Sequence, residues 1–177
     1  MKSFEELGLN ERILQAIGEQ GYEYPMPIQE AVIPVLLGNK DENGWQGDLV
    51  ALAQTGTGKT AAYLLPVLEL LSRGGSPENK VNALVLVPTR ELAQQIDQQM
   101  EGFGFYVPFS SVAIYGGNDS GAWGTQSTGL QKGADIVIAT PGRLLSLMNI
   151  YNIDFSGVKY FILDEADRML DMGFYDD

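Results

Sequence analysis

The segment Ala53-Gln54-Thr55-Gly56-Thr57-Gly58-Lys59-Thr60 has the residue types and spacing to hold a chain of phosphates. Gly56 and Gly58 permit backbone conformations that aim successive N–H groups at phosphate oxygens, and a helix opening at the end of the loop adds the positive end of its dipole. Lys59 is spaced to reach the β and γ phosphates, and the Thr60 hydroxyl to ligate Mg²⁺. Ala53 stands where the general pattern has its first Gly. The bland alternative is a Gly-rich strand-to-helix turn with an exposed lysine. It is the weaker one, because a predicted strand, Leu49–Ala53, precedes the loop and a predicted helix, Thr60–Ser72, follows it.

A second chemical pair, Asp164-Glu165, closes another apolar run, Tyr160–Leu163. A carboxylate at such a place can hold Mg²⁺ directly or through water, and its neighbour can polarise an attacking water. Asp164 is therefore assigned to the metal and Glu165 to general-base or water-positioning work. In isolation the pair would read as acidic residues at a strand end; the phosphate loop upstream favours the functional assignment. Further candidates fall where other predicted strands end: Thr89-Arg90 after Ala83–Val87, Gly116-Gly117 after Val112–Tyr115, and Thr140-Pro141-Gly142-Arg143 after Ile136–Ala139. Arg90 and Arg143 can contact phosphates, Thr89 and Thr140 can cap the following helices, and paired glycines let another backbone approach closely. Each is weak evidence alone, since solvated arginines and Gly turns are common. Their shared position at the carboxyl ends of strands, where open parallel sheets bind ligands, is the functional signal.

These residues need elements to position them. The five apolar runs are continuous rather than alternating, as strands buried on both faces should be. Between and before them lie predicted helices: Glu11–Gln20, capped by Asn10 and stopped by Gly21; Pro27–Leu37, ended by Gly38; Glu91–Glu101; Gly142–Met148; and a weaker one before Gly133. The stretch 39–47 reads as a surface loop, and Gly116–Gly129, rich in Gly, Ser, Thr and Asn, as a flexible segment. Alternating strands and helices imply an α/β domain of three layers, a mostly parallel sheet with helices on both faces.

The chain has 177 residues, the length of one domain, spanning residues 1–177. Eleven Lys and Arg against 23 Asp and Glu give a formal charge of −12, so any nucleic-acid contact must be local and assisted by backbone N–H groups. Neither His nor Cys occurs. That excludes a Ser-His-Asp triad, an imidazole or thiolate zinc site and a cysteine nucleophile. No run approaches the roughly 18 apolar residues of a membrane span, and Met1 to Glu5 do not begin a signal peptide. The expectation is a soluble cytoplasmic protein with no membrane partner.

In these motifs the sequence resembles the DEAD-box RNA helicases, over almost its whole length. Asp164-Glu165-Ala166-Asp167 is the motif that names the family, and Ala53 to Thr60 matches its nucleotide loop, initial Ala included. Pro88-Thr89-Arg90-Glu91-Leu92-Ala93, Gly116-Gly117 and Thr140-Pro141-Gly142-Arg143 match its three RNA-backbone motifs in order. Gly21 to Gln29 resembles its adenine-recognising Q motif, preceded by an isolated aromatic, Phe4. The resemblance implies an N-terminal RecA-like P-loop domain, with the Q-motif region in residues 1–29, that binds ATP and Mg²⁺. It implies that Gln29 reads the adenine edge, that Tyr22 and Phe4 help form the adenine pocket, and that Asp167 couples the nucleotide site to the rest of the machine. It further implies binding of single-stranded or locally duplex RNA through the sugar-phosphate backbone, with ATP hydrolysis driving local unwinding in the longer protein.

The sequence departs from the family pattern in three places. Met26 stands where Thr or Ser is usual, Asn118 to Trp123 lengthens the segment after Gly117, and the sequence ends at Asp177, before the family's Ser-Ala-Thr motif and second domain. The resemblance places the Ser-Ala-Thr strand between the nucleotide-loop strand and the Asp-Glu strand. The expected sheet is thus incomplete at its C-terminal strands, with a gap that direct pairing or strand exchange in a homodimer would close. The expected activity of the chain alone is absent or very weak, since the completing arginines belong to the second domain. A second reading is a catalytically incomplete nucleotide-binding or interaction module; stoichiometric ATP binding without RNA-stimulated turnover would select it.

Overall fold

The computed structural model describes residues 2–38, 48–54, 56–74, 76–117 and 120–174. The predicted surface loop at 39–47, Thr55 of the phosphate loop, and Asn118 of the lengthened segment lie outside them. The chain divides into two compact units, Met1–Gly74 with Gly102–Pro108, and Gly75–Glu101 with Phe109–Asp177.

The first unit is helical. After a short 3-10 turn at Glu5–Leu7 come α1 (Glu11–Glu19), α2 (Pro27–Leu36) and α3 (Lys59–Ser72). Asn10 caps α1 as its sequence position predicts, its Oδ1 accepting from the N–H groups of Arg12 at 3.0 Å and Ile13 at 3.2 Å. The same residue ties α1 to α3. Its backbone N–H and its Nδ2 both donate to Glu69 Oε2, at 2.8 and 2.7 Å, and Arg73 Nε donates to the other carboxylate oxygen at 3.0 Å. Glu69 is buried, so these bonds are the compensation for taking a carboxylate out of water.

α2 starts at Pro27, where a missing N–H costs nothing. Its N-cap is only half built. Gln29 Oε1 accepts from the Met26 N–H at 2.9 Å, but the Met26 side chain makes no cap bond. α2 packs along α3, whose buried face includes Ala61, Leu64, Leu65 and Leu68.

The second unit alternates strictly: β1 (Ala83–Leu86), α4 (Arg90–Phe103, whose last two residues belong to the first unit), β2 (Ser111–Ile114), α5 (Ser120–Gln131), β3 (Ile136–Ala139), α6 (Pro141–Met148), β4 (Tyr160–Leu163) and α7 (Ala166–Asp171). The strands form one parallel sheet in the order β2-β3-β1-β4. Ile136, Val137, Ile138 and Ala139 of interior β3 are all buried. Val137, Ala139 and Ile114 join Leu130 of α5 and Leu144 and Leu147 of α6 in one cluster on a face of the sheet. Among the described residues no helix is long and apolar enough to cross a membrane.

Three expectations change. Residues 49–53 form no strand, and Val50 and Leu52 are 88% and 93% exposed. A strand exists only where a neighbour takes its backbone hydrogen bonds, and the sheet's pairings are confined to the other four strands. Burial is continuous only in β3; β4 alternates, with Phe161 and Leu163 about half exposed, because it is an edge strand. α5 bears out the weaker helix expected before Gly133, but it begins at Ser120 and so takes in most of the segment predicted to be flexible. Its Gln126, Ser127 and Leu130 are buried, and Gly129 lies so close to Val112 of β2 that a Cβ there would be 2.9 Å from Val112 Cγ2. Packing overrides the low helix propensity of Gly and Ser in that segment.

Two stability outcomes follow. Glu69→Ala strands the Asn10 donors and is expected to cost about 1 to 3 kcal/mol in a urea unfolding curve. Met26→Thr completes the α2 cap and is expected to raise stability by about 1 kcal/mol in the same measurement.

Candidate functional site

In the first unit the phosphate loop leads directly into α3. Gly58 is the N-cap of that helix with φ +83°, and Gly56 has φ +82°, conformations that residues with a Cβ rarely adopt. Nothing lies within 4 Å of where a Gly56 Cβ would be, so the loop is open on that side. The loop is tied by its own side chains. Lys59 Nζ donates to the Ala53 carbonyl at 2.8 Å, and Thr57 Oγ1 donates to the Gln54 carbonyl at 2.7 Å. Thr60 is half-buried in the first turn of α3.

Gln29 is 1% exposed and joins the cap of α2 to that of α3. One end of its amide accepts from Met26 N, and the other donates to the Gly58 carbonyl at 3.1 Å. A Cβ on Gly58 would sit 2.5 Å from Gln29 Nε2, so this glycine serves both its own conformation and the approach of the glutamine. Tyr22 is stacked edge-to-face with Phe4 on one side, centroids 6.2 Å apart, and with Phe103 on the other, 5.6 Å apart. Phe4 is 4% exposed and so supports Tyr22 from the core. Burial pushes the Tyr22 hydroxyl pKa up.

In the second unit the motifs emerge together at the carboxyl ends of the strands. Pro88, Arg90, Gly116, Thr140, Gly142 and Arg143 line one cleft of about 440 Å³, joined by Ser146 and Phe174. Two guanidinium groups face this cleft, and among the described residues no carboxylate lines it. Thr89 caps α4, its Oγ1 accepting from Leu92 N at 3.3 Å. Thr140 has the extended backbone of an N-cap but its side chain makes no cap bond to α6, contrary to expectation. Pro141 opens α6, so both α4 and α6 present their N-terminal ends at this rim. Arg143 is steadied from α5: its Nε donates to the Oε1 of buried Gln126 at 3.2 Å.

Asp164 and Glu165 follow β4. Asp164 is 8% exposed, and its backbone N–H donates to Leu86 O at 3.0 Å, continuing the ladder. Glu165 has φ +52° and ψ +47°, a left-handed conformation costly for a residue with a Cβ, held where strand turns into helix. Its carboxylate accepts from Arg168 Nη1 at 3.2 Å. Asp167 is exposed in the first turn of α7, where a negative charge favours the helix. The buried Asp164 carboxylate is a hard oxygen donor of the kind that suits Mg²⁺, which takes one or two protein oxygens together with phosphates and water.

Sequence reasoning missed Ser146, Phe174, Gln126 and Tyr115. Phe174 reaches the cleft through the end of α7, where Gly173 at φ +87° lets the chain fold back and Phe174 N donates to Met169 O at 3.1 Å. The Gly173 signal was readable; the contacts of the other three depend on which elements become neighbours.

Comparison with known proteins identifies the family. A DEAD/DEAH box helicase family profile matches residues 26–177. The ATP-dependent RNA helicase DeaD of Mycobacterium tuberculosis is 44% identical over 176 residues, covering 99% of this chain and 29% of that protein. The ATP-dependent rRNA helicase rrp3 of Schizosaccharomyces pombe is 43% identical over 98% of this chain and 35% of its own length. Crystal structures of the RNA helicase Prp28 superpose well. The Chaetomium thermophilum protein bound to ADP gives a TM-score of 0.85 at 41% identity, over 99% of this chain and 41% of that one, and the yeast protein gives 0.84 at 32%. The chain spans about a fifth to a third of the length of the curated relatives it matches. With the family profile covering the motifs in both units, this chain belongs to the DEAD/DEAH box helicase family and has the fold of its N-terminal RecA-like domain.

Proposed function

We propose that the chain is the ATP- and RNA-binding part of an ATP-dependent RNA helicase, in which hydrolysis is coupled to local unwinding of RNA duplexes. The observation that carries this reading is the cleft at the carboxyl ends of the strands: Arg90 and Arg143, the glycines Gly116 and Gly142, and two helix N-termini, with no carboxylate among the described residues that line it. In a chain of net charge −12 such a cleft is a local anion site. Guanidinium groups and backbone N–H groups meet phosphates without reading bases, so the RNA is held by its sugar-phosphate backbone, single-stranded or locally duplex, irrespective of sequence.

The nucleotide is assigned to the first unit. Gly56, Gly58 and the N-terminus of α3 cradle the phosphates, Lys59 exchanges the Ala53 carbonyl for a phosphate oxygen, and Gln29 and Tyr22 flank the base. Exchanging a neutral acceptor for an anionic one strengthens the lysine's hydrogen bond. Thr60 in the first unit and Asp164 in the second are each assigned as oxygen donors for Mg²⁺, which when bound neutralises charge on the phosphates. Glu165 orients the attacking water. By itself the chain is expected to bind ATP–Mg²⁺ with little turnover. Its exposed β4 edge, carrying Phe161 and Leu163, is the edge for strand exchange between two copies. Light scattering that finds only monomer at every concentration would remove that part of the reading.

Lys59→Ala is expected to abolish binding of a fluorescent ATP analogue while leaving RNA binding in place. Arg143→Ala is expected to weaken single-stranded RNA about tenfold in fluorescence anisotropy, equally for different sequences, and to flatten the slope of log K against log salt by about 0.7. Base-dependent losses, or an unchanged slope, would overturn the backbone-binding reading.

A further inference from the structure

The side chain of Arg90 is held by contacts that its own motif does not supply. Its guanidinium carbon lies over the ring of Tyr115, 5.4 Å from the centroid. That is the geometry of a cation–π contact, in which the planar guanidinium gains attraction from the ring face and loses freedom of orientation. The other boundary is Gly117. A Cβ built there would lie 2.5 Å from Arg90 Nη1 and 3.4 Å from its Cζ, whereas nothing lies within 4 Å of the same position on Gly116. Neither glycine has a positive φ. Conformational freedom therefore explains neither glycine, and space explains Gly117.

We infer that Tyr115 and Gly117 form a seat for the Arg90 guanidinium, making them positioning residues for the phosphate contact, while Gly116 is the glycine left bare for the RNA backbone. The inference rests on the reading of the cleft as an RNA site. The seat assembles because β2 and β1 are parallel strands on either side of β3, which brings the residues after β2 to the same rim as the start of α4. The two glycines of one dipeptide thus do different work. A methyl group at position 117 meets the far end of a flexible side chain, so it displaces the arginine and leaves the fold alone.

The experiment measures single-stranded RNA affinity and its salt slope for Gly117→Ala, Tyr115→Leu and Tyr115→Phe, each alone and in an Arg90→Ala background, with Arg143→Ala as the control for the cleft. Gly117→Ala is expected to weaken binding about three- to tenfold and flatten the salt slope, with an unchanged unfolding midpoint. Tyr115→Leu is expected to weaken it about two- to fivefold, and Tyr115→Phe, which keeps the ring face, to stay within about twofold. In the Arg90→Ala background neither Gly117→Ala nor Tyr115→Leu has a further effect. A readout free of RNA is the Arg90 Nε–Hε resonance, shifted by the Tyr115 ring current. It is expected to keep its shift in Tyr115→Phe and to lose it in Tyr115→Leu and Gly117→Ala. Full effects persisting in the Arg90→Ala background, or a resonance that ignores both substitutions, overturn the seat. Weakening by Arg143→Ala with none by Arg90→Ala overturns the seat and leaves the RNA reading standing. Loss of the ring-current shift as expected, with RNA affinity indifferent to both arginines, establishes the seat's geometry and overturns its role together with the RNA reading.

Discussion

Parallel pairing of β1 with a neighbour on each side fixes where every functional group of the second unit emerges. Leu86, its last residue, is level with Ala139 of β3 and with Leu163 of β4, and Ala139 is level in turn with Ile114 of β2. Four strands that end in one row and run in one direction must deliver their following residues to one rim. The β1 end delivers Pro88 to Arg90, the β2 end Tyr115 to Gly117, the β3 end Thr140 to Arg143, and the β4 end Asp164 and Glu165. Slipping one strand by a single residue would turn its side chains to the opposite face and misplace the motif that follows. The buried ladder is therefore what gives segments far apart in sequence a common position.

If RNA binds at that rim as proposed, an acidic protein meets a polyanion there by local means. Its charge of −12 opposes RNA at long range, so the cleft depends on what lies within a few ångströms. Arg143 is steadied by Gln126 and Arg90 by Tyr115, and an arginine already oriented loses less side-chain entropy when a phosphate arrives. Glycines at 116 and 142 let the backbone come near. The carboxylates that do lie at the sheet's carboxyl end, Asp164 and Glu165, follow the edge strand β4 and stay out of the cleft lining.

Much of this was legible in the sequence because it depends on local chemistry. Asn10, Pro27 and Thr89 mark helix starts through their own backbone and side-chain preferences, and the runs at 83–86, 111–114, 136–139 and 160–163 are strands to within a residue of expectation. The failures share a cause. Leu49–Ala53 has the composition of a strand, but composition does not name the partner that must take its hydrogen bonds. The first turns of α5 have the composition of a loop, yet the helix expected before Gly133 extends back through them, with Leu130 and Gly129 packed on the sheet. Tyr115, Gln126 and Ser146 gain their roles only from which elements become neighbours, and no single-segment pattern carries that.

Gln29 shows how a site residue can be structural and still keep capacity for a ligand. A primary amide has two donor hydrogens and two acceptor lone pairs. Here one lone pair takes the Met26 N–H and one hydrogen goes to the Gly58 carbonyl, which fixes the amide plane and settles which end is oxygen. One donor and one acceptor remain on the same rigid group. That complement is what recognition of an adenine edge requires, one hydrogen given and one received. Burial of Gln29 and its ties to two helix caps therefore hold the remaining donor and acceptor in a fixed orientation, so that reading a base would cost little further side-chain entropy. The substitution at Met26 leaves this arithmetic intact, because the bond from residue 26 to Gln29 is made by backbone N–H.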